Sequence, residues 1–186
     1  MGFHTFDVAR AESLDDEGRY RYCSREELLA LLAPSPGEAV ADLGSGTGFY
    51  TDDVAPAVGT LYAVDVQAAM HEFYREKGVP PNVELVTADV ESLPFADGEL
   101  DAALSTMVYH EFASDDAVTE LGRVLRPDGR LVTVDWSKAG PGEAGPPTDE
   151  RFGLGDAVST LEDGGFVVTE AASRRETFVC VARRTE

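Results

Sequence analysis

Short apolar runs alternate along the chain with stretches that carry a helical apolar period, and this alternation constrains the fold more than any other feature. The runs predicted as strands are Ala39–Leu43, Thr60–Val66, Val83–Thr87, Leu100–Ser105 and Arg130–Asp135. Helical patterns lie near residues 49–57, 67–77 and 115–125. Strands that are separated by helices pair in parallel through right-handed crossovers. The sequence therefore predicts an α/β fold with a doubly wound, mostly parallel sheet and helices on both faces.

The last third of the chain departs from this alternation. A segment rich in Pro and Gly, residues 139–150, is predicted as a loop, and a helix is predicted near residues 156–163. The runs FVVTEAA and TFVCVAR then lie only a short turn apart, at residues 173–176, which is too close for a crossover. They are therefore predicted to pair as an antiparallel hairpin at the edge of the sheet.

Residues 1–23 are predicted as an N-terminal arm that covers the cleft, and residues 24–186 as a single domain, which is an ordinary domain size. The arm has no clear apolar period. Ser24 and Glu27 form a capping box ahead of a first, leucine-rich helix. The sequence RPDGR, at residues 126–130, is predicted as a turn because it carries Pro and Gly.

A glycine-rich turn follows the first predicted strand. It comprises Gly44, Ser45, Gly46, Thr47 and Gly48. Glycines at alternate positions let a ligand approach the backbone closely, and ligands of such sheets bind beyond the carboxyl ends of the strands. The spacing departs from the dinucleotide fingerprint G-x-G-x-x-G because Phe49 stands at its last glycine position, and no Gly-Lys-Ser/Thr follows as in a P-loop. The glycine pattern alone is compatible with a ligand-binding turn and with a tight turn of purely structural role.

Three acidic residues favour a ligand. Asp42 stands two residues before the first glycine, Asp65 lies near the end of the second strand, and Asp89 follows the third. A carboxylate in the second position can accept hydrogen bonds from both ribose hydroxyls, and one in the third can accept an adenine amine. No Lys or Arg stands near these acids in the sequence, so a pyrophosphate would be poorly accommodated. A nucleoside with a positive centre suits them better.

The chain resembles the class I S-adenosylmethionine-dependent methyltransferases. The resemblance rests on DLGSGTG at residues 42–48, the acid in AVDV, and the segment ADVESLPFADGELDAALSTMVYHE. It continues through RVLRPDGRLVTVDW and the closing helix and hairpin, and so covers residues 24–182. The branch it resembles contains quinone-biosynthesis and other small-molecule methyltransferases. The resemblance implies a seven-stranded Rossmann-like sheet with its last strand antiparallel.

The same resemblance implies the cofactor, S-adenosylmethionine, with S-adenosylhomocysteine as product, and assigns residues to its parts. Asp42 and the turn Gly44–Gly48 are expected to hold the methionine end. The ribose is expected at Asp65 and Val66, and the adenine at Asp89 and Val90. Ser105 and Met107, after the fourth strand, are expected to line the sulfonium and the amino-acid end of the cofactor.

The segment MVYHEF leaves the fourth strand at the crevice and supplies the candidates for acceptor chemistry. His110 is predicted as a base or as a group that orients the acceptor, with Glu111 orienting His110. The alternative is that His110 only packs beneath the loop. Tyr22 of the arm is predicted to close over the pocket, with simple coverage as its alternative. Asp135 and Trp136 are predicted to point towards the acceptor side, with core packing as the alternative for Trp136. Arg151 is predicted to pair with acids of the surface, with binding of an acceptor carboxylate as its alternative.

The net charge is −20, from 35 acidic and 15 basic residues, and the acids are spread over every segment. Such a surface is typical of a protein from a salt-adapted host; the alternative is an acidic face for a basic partner. Both interpretations argue against a nucleic-acid substrate. No metal site is expected, because Cys23 and Cys180 have no ligand-like spacing with each other or with histidine.

The sequence has no signal peptide pattern and no apolar stretch long enough for a membrane span, so a cytoplasmic protein without membrane contact is expected. The predicted function is methyl transfer to a small-molecule acceptor by in-line displacement. The alternative is a cofactor-binding sensor or an activator subunit without catalysis. A homodimer is one option for the oligomeric state, which the sequence leaves open.

Overall fold

The computed structural model describes residues 6–185 and contains one seven-stranded sheet. The strands are β1 (Ala39–Leu43), β2 (Thr60–Asp65), β3 (Val83–Thr87), β4 (Leu100–Thr106), β5 (Leu125–Trp136), β6 (Phe166–Ser173) and β7 (Thr177–Arg184). The helices are α1 (Arg25–Leu32), α2 (Phe49–Val54), α3 (Ala68–Lys77), α4 (Tyr109–Phe112), α5 (Asp115–Val124) and α6 (Leu154–Asp163).

The strand order is β3-β2-β1-β4-β5-β7-β6, and β1 to β5 pair in parallel. Strand β7 runs antiparallel to both β5 and β6. The predicted doubly wound sheet with an antiparallel last strand and an edge hairpin is thus confirmed. The chain moves outward from β1 to β3 and then returns to the other side of β1 with β4. The carboxyl ends of β1 and β4 therefore flank the switch point, where such folds bind ligands.

An apolar core lies on each face of the sheet, because apolar side chains alternate between the faces along each strand. One core contains Leu43, Leu131, Phe178 and residues of α5 and α6. The other contains Val40, Leu104 and Val132, together with residues of α1 and α2. Helix α5 buries Ala117, Val118, Leu121 and Val124.

Strand β5 and the capping box of α1 differ from the sequence predictions, and β2 and β4 each end one residue away from their predicted bounds. Strand β5 begins at Leu125 and includes the predicted turn at residues 126–130. Leu125 pairs with Leu100 before the register shifts, and Asp128 has a φ of 63°, so the ladder continues around a local irregularity. The capping box of α1 is half formed: the Ser24 hydroxyl accepts the backbone N–H of Glu27 at 3.2 Å, while the Glu27 carboxylate pairs with Arg174.

The described part of the N-terminal arm consists of two 3-10 segments, Val8–Asp15 and Glu17–Arg21, and residues 1–5 lie outside the described range. Polar contacts attach the arm to the sheet domain. The hydroxyl of Thr47 donates to Asp15 Oδ1 at 3.0 Å, and the side-chain amide of Gln67 donates to the carbonyl of Phe6 at 2.9 Å. Within residues 6–185, no helix combines the length and apolar character that crossing a membrane requires.

The net charge of −20 leads to a prediction about stability. Repulsion among the carboxylates destabilises the compact chain at low ionic strength, and salt screens it. We expect the melting temperature to rise on the order of 5 °C between dilute buffer and molar KCl, which calorimetry measures. Sucrose of matched osmolality is the control, because it does not screen charge. An equal rise in sucrose, or no rise in KCl, would favour the acidic face for a basic partner.

Candidate functional site

The glycine turn holds a conformation that other residues rarely adopt. Gly44, Gly46 and Gly48 have φ values of 73°, 55° and 83°. The backbone N–H groups of Gly44 and Ser45 both donate to the carbonyl of Val64, at 2.8 and 2.9 Å, which ties the turn to the end of β2. A Cβ on Gly44 would lie 2.6 Å from Val108. The turn is therefore fixed between the carboxyl ends of β2 and β4.

A cavity of about 340 Å³ lies against this turn, at the switch point of the sheet. Of the residues that the sequence predicts for the site, it is lined by Gly44, Ser45, Gly46, Asp65, Val66, Asp89, Val90, Met107 and Glu111. The arm contributes Phe6, Leu14 and Arg19 to the same wall. Most of the predicted cofactor residues thus line one cavity, together with residues of the arm.

Asp65 has a geometry suited to a diol. It ends β2 and is 8% exposed. Its Oδ2 accepts the backbone N–H of Gly46 at 2.9 Å, and its Oδ1 accepts that of Gln67 at 2.8 Å. Burial raises the pKa of Asp65, and these two hydrogen bonds oppose the rise. Because each carboxylate oxygen retains further acceptor capacity, Asp65 can still accept two hydroxyls from the cavity side.

Asp89 and Val90 form a second part of the cavity wall. Asp89 follows β3 and turns the chain by accepting the backbone N–H of Glu91 at 3.0 Å. Val90 is 7% exposed and belongs to the core beneath α5. Together they present a carboxylate beside an apolar surface, which is the chemistry that an adenine ring requires.

Three predicted residues lie behind the glycine turn and do not line the cavity: Asp42, Thr47 and Gly48. Asp42 is 1% exposed and accepts the hydroxyl of Thr51 at 2.7 Å, and burial raises its pKa to about 6. Its Oδ1 is buried without a hydrogen-bond partner among the described residues, as is the hydroxyl of Ser45. Of these two unsatisfied atoms, the Ser45 hydroxyl belongs to a residue that lines the cavity, and it can accept an amine hydrogen from a ligand there.

Ser105 does not line the cavity, whereas its neighbour Thr106 does. Side chains alternate along β4, so Ser105 shares its face with Ala103 and the α5 core. Its hydroxyl is buried there without a partner among the described residues. Ser105 therefore does not line the cavity as predicted, and the next residue, Thr106, does. Met107 lies in the cavity wall with a φ of 62°, which turns the chain from β4 into α4.

His110 is held by Asp135. The backbone N–H of His110 donates to Asp135 Oδ2 at 2.7 Å, and Nδ1 lies 3.0 Å from Oδ1. Burial lowers the pKa of His110, but the hydrogen bond and charge of Asp135 outweigh it and leave the pKa above its usual value. Glu111 does not orient the ring as predicted, because its Oε1 lies 3.9 Å from Nε2. Glu111 instead faces the cavity, and burial raises its pKa to about 7.

Tyr22 lies outside the cavity, contrary to its predicted position. Its ring packs 4.7 Å from that of Trp136 and lines a separate hollow beside the β6–β7 turn. The guanidinium of Arg151 is also structural: it pairs with Glu176 at 3.3 Å and donates to the carbonyl of Pro146 at 2.8 Å. These contacts hold the Pro- and Gly-rich loop against Trp136. The arm residues that line the cavity are Phe6, Leu14 and Arg19.

Arg19 is the functional candidate that sequence reasoning missed. It lies in the cavity wall, with its guanidinium over the rings of Phe49 and Tyr50 at 5.0 and 5.1 Å. Burial lowers its pKa, and Asp42 and Asp15 are among the groups that oppose this. It is the only basic side chain lining the cavity among residues 6–185. The arm has no clear apolar period, so the sequence around Arg19 gave no indication of a functional role. Only tertiary contacts bring Arg19 close to the glycine turn.

Comparisons with known proteins agree with this site. The family described as a methyltransferase domain matches residues 41–133, half of the chain. The ubiquinone/menaquinone biosynthesis C-methyltransferase UbiE of Ectopseudomonas mendocina is 36% identical over 120 residues, 60% of this chain and 47% of that protein. The protein of the same name from Haemophilus ducreyi is 31% identical over 147 residues, 75% of this chain and 55% of that protein. The chain thus spans about half the length of these relatives.

A solved structure extends the likeness to nearly the whole fold. A SAM-dependent methyltransferase from Aquifex aeolicus has a TM-score of 0.88 and is 29% identical, over 96% of this chain and 99% of that one. The family match begins within β1 and ends within β5, and it includes the glycine turn, Asp65 at the end of β2 and Asp89 after β3. The chain belongs to the class I S-adenosylmethionine-dependent methyltransferases.

Proposed function

We propose that this protein transfers the methyl group of S-adenosylmethionine to a small-molecule acceptor. The observation that carries the proposal is the position of Asp65: its carboxylate is fixed by Gly46 and Gln67, yet it faces a cavity of about 340 Å³ with acceptor capacity to spare. That cavity is large enough for a ligand of nucleoside size, since small-molecule pockets start near 300 Å³.

The cavity wall divides into parts that suit the parts of this cofactor. Asp65 and Val66 are placed for the ribose, and Asp89 with Val90 for the adenine. Ser45, with its unpartnered hydroxyl, and Gly44 and Gly46 are placed for the methionine end, together with Thr106 and Met107.

The charges in the wall support a ligand that carries both signs. Arg19 supplies a cation for the carboxylate of the amino acid. Asp65, Asp89 and Glu111 give the wall a negative potential that favours a sulfonium. A dinucleotide would bring its pyrophosphate against these same acids, which is unfavourable.

When bound, S-adenosylmethionine supplies an electrophilic methyl group on a good leaving group. The task of the protein is then to align the acceptor and exclude water, and positioning of this kind can contribute about 7–11 kcal/mol. The residues of the arm, Phe6 and Leu14, lie over the cavity and are suited to exclude water. His110 and Glu111 are the proposed acceptor-side groups, and Tyr22 lies too far along the arm to be the first choice.

The acceptor is proposed to be a small, quinone-like or phenolic molecule. The relatives named above act in ubiquinone and menaquinone biosynthesis, as their names state, and the acidic surface argues against nucleic acid. A non-catalytic binding role is the weaker alternative, because both the family and the relatives are methyltransferases. Incubation with S-adenosylmethionine labelled in the methyl group and a metabolite extract is expected to yield a labelled small molecule. Binding of the cofactor without any labelled product would favour the alternative.

Asp65→Ala is expected to weaken S-adenosylhomocysteine binding by about ten- to a hundredfold, which corresponds to roughly 1.5–3 kcal/mol for hydrogen bonds to a charged group. The reason is the loss of the carboxylate that faces the ribose position. Titration calorimetry measures the change. Asp163→Ala, which removes an exposed acid at the end of α6, is the matched control and is expected to bind normally. Equal affinities of the two variants would place the ribose elsewhere.

A further inference from the structure

The carboxylate of Asp135 accepts two hydrogen bonds from His110, one from its backbone and one from its ring. Asp135 lies near the carboxyl end of β5, is completely buried, and is paired across the sheet with Phe178 of β7. Its two oxygens receive the backbone N–H and the Nδ1 atom of His110, at 2.7 and 3.0 Å. Because one rigid carboxylate holds both the backbone and the ring, the imidazole is fixed in position and in rotation.

This contact also decides which ring nitrogen carries the proton. A carboxylate accepts hydrogen bonds only, so Nδ1 must donate and therefore carries the hydrogen in the neutral ring. The lone pair then lies on Nε2. Nε2 makes no hydrogen bond with any of the described residues, and the His110 side chain keeps 10% of its surface exposed. It lies 3.9 Å from Oε1 of Glu111, a residue of the cavity wall.

We propose that Asp135 is a positioning residue that prepares His110 Nε2 as a general base for an acceptor with a weakly acidic hydroxyl, a phenol or an enol. The acceptor lies beside Glu111 at the edge of the cavity. This inference rests on the proposed function and specifies its acceptor class.

The step balances without a further reactant. The hydroxyl proton of the acceptor passes to Nε2 while the oxygen lone pair forms the new bond to the methyl carbon. The carbon–sulfur bond breaks, and its electron pair remains on sulfur as a neutral thioether. The imidazolium left on His110 is stabilised by Asp135, Glu111 and Glu150, the charged groups that face it, and its proton is then released to solvent.

The surroundings favour a neutral hydroxyl over other acceptors. An acceptor carboxylate is already ionised near neutral pH, needs no base, and would be repelled by Asp135, Glu111 and Asp65. A neutral amine is nucleophilic without prior loss of a proton. A phenol or enol enters uncharged and becomes a good nucleophile only when a base removes its proton. Nε2 of His110 is placed to act as that base.

Nitrogen NMR of the imidazole rings tests the tautomer without an acceptor. We expect neutral His110 in the wild type to carry its hydrogen on Nδ1, and Asp135→Asn to shift it substantially to Nε2, because an amide can also donate. His71, which meets Thr87 rather than a carboxylate, is the internal control and should not change. His110→Gln identifies the signal. An Nε2–H tautomer in the wild type overturns the inference, as does an unchanged tautomer in a folded Asp135→Asn protein.

Transfer from labelled S-adenosylmethionine to a series of substituted phenols and benzylamines tests the acceptor class. We expect methylated phenols, at a rate that rises with pH as His110 loses its proton. Asp135→Asn should lower the maximal rate by about a hundredfold with little change in KM, and shift the rising limb to lower pH, since the charge that raises the pKa of His110 is gone. Transfer to amines alone, or to no phenol, overturns the inference. Absence of S-adenosylhomocysteine binding would instead refute the proposed function.

Discussion

His110→Ala is expected to lower turnover by about 10²- to 10⁴-fold, the usual contribution of a general base, while S-adenosylhomocysteine still binds within about twofold of the wild type. The reason is that the His110 ring does not line the cavity, although its neighbour Glu111 does. The variant keeps the backbone N–H that donates to Asp135. Transfer of labelled methyl to an acceptor and titration calorimetry measure the two effects separately.

The matched variant is His110→Gln, which keeps a polar side chain of similar size but offers no base near neutral pH. It should be as inactive as His110→Ala and melt closer to the wild type. If cofactor affinity falls in both variants, or if His110→Gln keeps its activity, His110 is a packing residue. The acceptor base would then have to be sought at Glu111, which faces the cavity with a pKa of about 7.

Gly48→Ala is expected to destabilise the protein by about 2–4 kcal/mol and to lower its melting temperature by roughly 5–15 °C. Gly48 has a φ of 83°, where an L-residue is strained, and a Cβ there would overlap the ring of Tyr74. Tyr74 cannot yield easily, because it is fully buried and donates its hydroxyl to Asp52 at 2.6 Å. Differential scanning calorimetry measures the change.

Gly155→Ala is the control for that substitution. Gly155 lies in α6, its φ is not positive, and nothing lies within 4 Å of the position of a Cβ. Because Ala is the better helix former, this variant should be as stable as the wild type or up to about 1 kcal/mol more stable. Equal melting temperatures for the two variants would mean that the glycine turn can rearrange, and that its rigid position against Tyr74 is not required.

The sheet could be predicted because its strands are marked locally. Strands β1 and β3 begin and end where the apolar runs do, since both lie between helices or turns with clear breaker residues. The edge hairpin followed from the shortness of the connection at residues 173–176. The start of β5 could not be predicted, because the pairing of Leu125 with Leu100 overrides the turn tendency of Pro127 and Gly129. At the start of β5, pairing with a neighbouring strand thus outweighed the local preference for a turn.

Site residues that lie at the ends of strands could be predicted from the sequence. Site residues that are placed by contacts with residues distant in sequence could not. Asp65 and Asp89 follow strands and reach the cavity from there. Thr106 lines the cavity and the predicted Ser105 does not, because side chains of neighbouring residues in a strand lie on opposite faces of the sheet. An error of one residue at the end of a strand therefore assigns the wrong side chain to the site. Arg19 reaches the cavity through contacts with residues distant in sequence, and His110 and Asp135 are 25 positions apart. No local sequence pattern indicates such contacts.

Titration calorimetry with S-adenosylhomocysteine and with NAD tests the central claim most directly, because both ligands carry an adenosine and only one carries a pyrophosphate. The wild-type protein is expected to bind S-adenosylhomocysteine at one site per chain and to give no binding heat with NAD. Binding of NAD together with no binding of S-adenosylhomocysteine would contradict the assignment of the cavity and the function proposed from it.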